Sequence, residues 1–281
     1  RWLSDWSSDV CSSDLQHERC FVGGDQLRPL LDQPEAHRWL LDQIPGKLAA
    51  SYYDKVVKGD GCGQIRTVGR LAFLASMLNV KATFSAAVNR VEALDVISSV
   101  RKRTGTVVTE PVVYIVSSVA GGTGSGAYMD AALLARSLTK QRAKMVGIFV
   151  LPDAFDEKVQ GDESQLRIMR ANAYAALMEL QVLQDMRDDL RLEAVINAEG
   201  ETLALPAGRQ LFDLCYLIDH KNESHKSFSQ TEDIYELVAR LLMHENATPF
   251  SANAQSVERN LNTLRGVARC PEMFRPRLLG Q

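Results

Sequence analysis

The chain has 281 residues, 46% hydrophobic and 24% charged, which is enough apolar content to bury a large core and unlike a disordered or low-complexity segment. A formal net charge of −3 and a pI of about 6.0 argue against the basic footprint that nucleic acid or an anionic membrane selects. Cys11, Cys20, Cys62, Cys215 and Cys270 are scattered with no pair at metal or redox spacing, and no apolar run approaches the roughly 20 residues of a membrane span, so a cytoplasmic protein is expected.

In chain order, residues 1–15 come first, with the near-repeat Ser7-Ser8-Asp9-Val10-Cys11 and Ser12-Ser13-Asp14-Leu15 and no helical or strand period. This stretch resembles translated adapter or vector sequence. It is expected to be a non-native or disordered leader standing where the native N-terminus has been truncated. Two short helical pieces follow over 34–53, where Trp39, Leu40, Ile44 and Leu48 are broken by Pro45 and Gly46. A glycine-rich loop, 59–69, leads into an amphipathic helix over 70–78 carried by Leu71, Leu74, Ala75 and Leu78. A second helix spans 82–101 and ends in Arg101-Lys102-Arg103, where cations suit the negative end of the helix dipole.

The period then changes. Val112-Val113-Tyr114-Ile115-Val116 is a β-branched apolar run of the kind buried on both faces of a parallel sheet, and reads as a central strand. It runs into the glycine loop, then a helix through Ala131, Leu134, Ala135 and Leu138, then a strand over 145–151, which makes a βαβ crossover. A long helix over about 164–186, a strand over 211–218 and a helix opened by the capping box Ser229 and Glu232 complete the alternation. The fold class is therefore α/β, a doubly wound and mostly parallel sheet with helices on both faces. Residues 16–245 are expected to form one domain, and 246–281 a helical or irregular extension or the start of a truncated second domain.

The chemistry concentrates in Ala120-Gly121-Gly122-Thr123-Gly124-Ser125-Gly126, placed between a strand and a helix. Glycines let backbone N–H groups converge on phosphate oxygens, the helix N-terminus adds positive potential, and the Thr123 and Ser125 hydroxyls can donate to the same oxygens. A Walker A loop is excluded by Ala127 and Tyr128 where lysine and Ser/Thr are required. A nucleophile elbow is excluded because Ser125 lacks a glycine two residues before it. A Rossmann loop over Gly122–Ala127, serving an NAD(P)-dependent oxidoreductase with Asp153 on the ribose, stays open as the alternative. His220 and His225 read as surface histidines, since no third ligand of known spacing accompanies them, so no metal site is expected.

The glycine loop resembles the GGGTG signature of the tubulin/FtsZ superfamily at every position except Ala120. Upstream, Gly61-Cys62-Gly63-Gln64-Ile65-Arg66-Thr67-Val68-Gly69-Arg70 is similar to the superfamily's GAGANPEIGR loop, with the glycines and the Gly-Arg ending in register. The pair in this order looks most like the divergent bacterial tubulin-like proteins. The resemblance implies a guanine-nucleotide-binding, cytoskeletal protein that polymerises head to tail. GTP or GDP is the implied cofactor, with Mg2+ as its counter-ion, Gly121 to Gly126 on the phosphates and Gly61, Cys62, Gly63 and Gln64 near the γ-phosphate. It further implies Asp153 and Asp156 at the ribose and Asn222 at the guanine edge. The superfamily's hydrolytic acids have no counterpart here, because only Glu245 precedes Asn246 and Asn253 after the last helix. The catalytic residues are unknown, and the resemblance leans toward a nucleotide-gated scaffold with at most slow GTPase activity.

Overall fold

A computed structural model describes residues 62, 64–104, 111–159, 161–184, 192–197, 199–221, 227–228, 230–247 and 277–279, with isolated positions at 20, 22, 27, 33, 35 and 38. Three helices open the continuous part: α1 (Arg66–Ala75), α2 (Met77–Val91) and α3 (Leu94–Thr104). Then come β1 (Val112–Ser118), α4 (Gly122–Leu138) and β2 (Lys144–Val150). A 3-10 turn, Pro152–Phe155, leads through α5 (Asp156–Val159) to the long α6 (Glu163–Gln184). β3 (Leu192–Val195), β4 (Thr202–Leu205), β5 (Leu214–Ile218), α7 (Thr231–Ala247) and β6 (Arg277–Leu279) follow.

β1, β2, β5 and β6 form one parallel sheet in that order, while β3 and β4 make a separate antiparallel hairpin. The two-residue period of the strands assigns their side chains to two cores. Met145 and Phe149 of β2, with Cys215 and Leu217 of β5, face the core shared with α1 and α4. Val146, Ile148 and Val150, with Tyr216 and Ile218, face the core shared with Ile234 and Val238 of α7. A strand buried on both faces needs apolar residues at every position, and the six residues after Lys144 in β2 are all buried. The sheet is thus covered on both sides, the doubly wound α/β arrangement read from the alternation of elements.

Details differ from the sequence reading for identifiable reasons. The helix expected over 70–78 starts at Arg66 and stops at Ala75, where the Ser76 hydroxyl donates to the Ala72 carbonyl at 2.9 Å and the axis bends by 68° into α2. The helix expected over 82–101 is two helices, α2 and α3, with a break at Glu92 and Ala93. β1 was expected to be central; among the described residues it lies at the sheet's edge, with Val112 and Val116 more than a third exposed. The hairpin of β3 and β4 escaped notice because its strands are only four residues each, too short for a period to declare itself. Most of residues 34–53, Ser229 and most of 246–281 lie outside the described residues, although Arg277–Leu279 joins the sheet beside β5. Among the described residues no single helix is long and apolar enough to cross a membrane.

Candidate functional site

The carboxyl ends of parallel strands are where an α/β sheet leaves a crevice, because the chain departs to opposite faces there. Three turns meet along that edge: Val119–Gly121 after β1, Leu151–Asp156 after β2, and Asp219–His220 after β5. They are stitched by backbone bonds from Val119 N–H to the Val150 carbonyl at 3.1 Å and from Leu151 N–H to the Ile218 carbonyl at 2.8 Å.

The glycine segment is mostly helix. α4 begins at Gly122, with Gly121 as its extended N-cap residue and no side chain capping it. The first N–H groups of a helix have no partner within it, so those of Gly122, Thr123 and Gly124 point out of the end of α4 at the sheet edge. Among the described residues, a methyl group built at Gly121 meets nothing within 4 Å, and none of them blocks the approach to these donors. The other glycines answer to packing. A methyl at Gly122 would sit 2.7 Å from the Ile65 nitrogen, and methyls at Gly69, Gly124 and Gly126 would press into the carbonyl oxygens of Gly122, Ser118 and Arg66. Glycine at 69, 122 and 126 is what lets α1 lie backbone to backbone on α4.

That packing delivers the upstream loop to the site. Ile65 N–H bonds the Cys62 carbonyl at 2.9 Å, closing a turn in which Gln64 takes a left-handed φ of 61°. The Thr123 hydroxyl donates to the Cys62 sulfur at 3.2 Å. Burial pushes the Cys62 thiol up, so it stays protonated. Two hydroxyls expected to face phosphate are thereby assigned elsewhere: Thr123 bridges the loops, and the fully buried Ser125 donates back to the Gly121 carbonyl. Gly61, Gly63 and Asn222 lie outside the described residues.

Asn172 was missed in the sequence. From α6 its amide donates to the Gln64 carbonyl at 2.8 Å and the Ala120 carbonyl at 3.1 Å, tying both turns with one side chain. The signal was present, since Asn172 sits between Met169 and Ala173 on an otherwise apolar helix face. Arg66 likewise pairs with Glu179 of α6 and donates to the Ser125 carbonyl at 3.0 Å.

Asp153 and Asp156 lie on the turn after β2. Arg170 holds Asp153 at 3.2 Å, whereas one buried oxygen of Asp156 has no hydrogen-bond partner among the described residues. Burial raises the Asp156 carboxyl, and the neighbouring Asp153 adds to this, with the opposing fields of His220 and Arg170 too weak to reverse it. A carboxyl raised in the folded state contributes stability at pH values below its unfolded pKa and loses it as the pH rises through the folded value. Asp156→Asn is therefore expected to melt higher than the parent at neutral pH, with the gap shrinking in acid; parallel thermal melts across pH check this.

The edge thus offers helix N–H donors at one end and carboxylate acceptors at the other, with two turns locked together between them. A family model described as "Tubulin like" matches residues 16–274 of the chain. No curated protein and no solved structure matches it.

Proposed function

The chain belongs to the tubulin-like family, and from that premise we propose that it binds a guanine nucleotide along the carboxyl edge of its sheet and assembles head to tail. The observation that carries the reading is the uncapped start of α4, with open space at Gly121 and the Cys62–Ile65 turn packed beside it. Backbone N–H groups at a helix start form hydrogen bonds to phosphate oxygens and add the positive end of the helix dipole.

In this reading the N–H groups of Gly122, Thr123 and Gly124 hold the phosphates, and the Gly61–Gln64 segment lies against the terminal one. Asp153 and Asp156 accept from the ribose hydroxyls, and Asn222 reads the base edge. Mg2+, arriving with the nucleotide, would neutralise charge between the phosphates. Glycine spacing fixes these contacts through backbone, which suits a ligand recognised by charge and shape. The sequence carries no counterpart of the superfamily's hydrolytic acids, so we assign it nucleotide-gated scaffolding in a cytoplasmic, bacterial setting with at most slow GTPase activity.

The test is displacement of fluorescent GTP by unlabelled GTP, ATP and NAD, with sedimentation of the nucleotide-loaded protein. Displacement by GTP alone, and pelleting that depends on GTP, support the proposal. Displacement by NAD in preference to GTP overturns it in favour of a dinucleotide-binding oxidoreductase.

A further inference from the structure

A second cluster at the same edge has a different chemistry. Asp153, Asp219 and His220 each offer a ligand atom, and the three atoms lie within 4.8 Å of one another. Spacing along the chain gives His220 no third ligand. The parallel pairing of β2 with β5 supplies one, by setting the turn that carries Asp153 against the one that carries Asp219 and His220.

We propose that Asp153, Asp219 and His220 bind a divalent transition-metal ion of the manganese-to-zinc series. Metal–ligand bonds of about 2.0–2.2 Å place neighbouring donors roughly 3–4 Å apart, close to the spacing of three donor atoms that lie within 4.8 Å of one another. Two carboxylates with an imidazole suit Mn2+, Co2+ or Zn2+, whereas Mg2+ selects an all-oxygen and largely hydrated shell. The imidazole Nδ1 is 3.0 Å from Asp219 Oδ1, so two of the donors already lie at the spacing a shared ion sets.

Charge in the surroundings points the same way. Asp153, Asp156 and Asp219 bring three carboxylates to this edge, a concentration of negative charge. The Arg170 guanidinium compensates only part of it. Arg170 is half exposed and meets Asp153 through one contact of 3.2 Å, so it can swing into solvent when a cation arrives. The three ligand side chains are themselves partly exposed, which gives the ion a path from solvent. Asp153 also stands at the ribose end of the proposed nucleotide site, so the two readings share one residue, while Asp219 and His220 serve the metal alone.

The experiment is titration of the chelator-treated full chain with Co2+ alone, without nucleotide, followed by calorimetry and by the cobalt d–d absorption. One equivalent is expected to bind, with the spectrum of a site containing nitrogen. Asp219→Asn and His220→Gln should each weaken binding by about tenfold or more, while His244→Ala, an exposed histidine on α7, should not. Thermal melts run beside the titrations identify any variant that fails to fold, and Asp153→Asn then takes its place. Excess Mg2+ should leave the cobalt signal unchanged. Absence of a saturable signal, equal affinity in the ligand variants, or displacement by equimolar Mg2+ would each overturn the proposal. A failure of GTP binding would leave this readout untouched, so the two ideas fall separately.

Discussion

Gly121→Val is expected to fold like the parent and to lose nucleotide affinity by roughly 100-fold, whereas Gly126→Ala is expected to lose the fold's stability first. The backbone at Gly121 is extended, at φ −89° and ψ 175°, a conformation a β-branched residue accepts, and its side chain would project into open space. That space is the approach to the N–H groups of α4, so the added methyls displace a phosphate rather than protein. Losing two charge-assisted hydrogen bonds costs about 3 kcal/mol, which corresponds to the stated factor. At Gly126 the added carbon meets the Arg66 carbonyl and the Arg70 nitrogen, both backbone atoms of α1 that cannot rotate away. Overpacking of this kind costs about 3 kcal/mol, a large share of the roughly 5–15 kcal/mol that holds a domain together. Urea melts and fluorescent-GTP titrations of both variants separate the roles. If Gly121→Val binds as the parent does, the end of α4 is not the phosphate site.

The second large effect is expected at the bond between α1 and α4. Arg70 grips Asp130 with Nε to Oδ2 at 2.8 Å and Nη2 to Oδ1 at 3.2 Å, and the carboxylate side chain is only 1% exposed. Arg70→Ala should cost about 3–5 kcal/mol, because it strands a buried charge. Arg70→Met combined with Asp130→Leu should recover most of this, since it removes both charges and fills the volume. Burial already holds the Asp130 carboxyl above its ordinary value, against the opposing pull of Arg70, and losing Arg70 raises it further. Protonation relieves the stranded charge, so the deficit of Arg70→Ala should be largest at neutral pH and narrow as the pH falls. Denaturation midpoints of the two variants across pH decide it; a deficit independent of pH would mean that lost packing, not charge, dominates.

Much of the fold was legible because it depends on local periodicity. The apolar runs over 112–116 and 145–151 read as strands and the stripe over about 164–186 as a helix, and β1, β2 and α6 lie there within a few residues. The glycine motif located the sheet edge, and the resemblance brought together two loops whose Cys62 and Thr123 side chains are in contact. The division of labour among the glycines was not legible, because composition cannot say whether a missing side chain makes room for a ligand or for another helix. Asn172 and the meeting of Asp153 with Asp219 and His220 were hidden for a related reason: each depends on contacts between distant segments, which spacing along the chain does not encode.

The crossing of α1 on α4 has a mechanical consequence. Most helix pairs touch through side chains, which slide and change rotamer, so one helix can shift by an ångström or two while the other stays. Here glycine brings main chain onto main chain, and the Arg70–Asp130 fork pins the pair a turn further along. Little compliance remains in that joint. A force applied at the Cys62–Ile65 turn therefore reaches α4 as the displacement of a stiff rod, not as a local rearrangement that dies away within the loop.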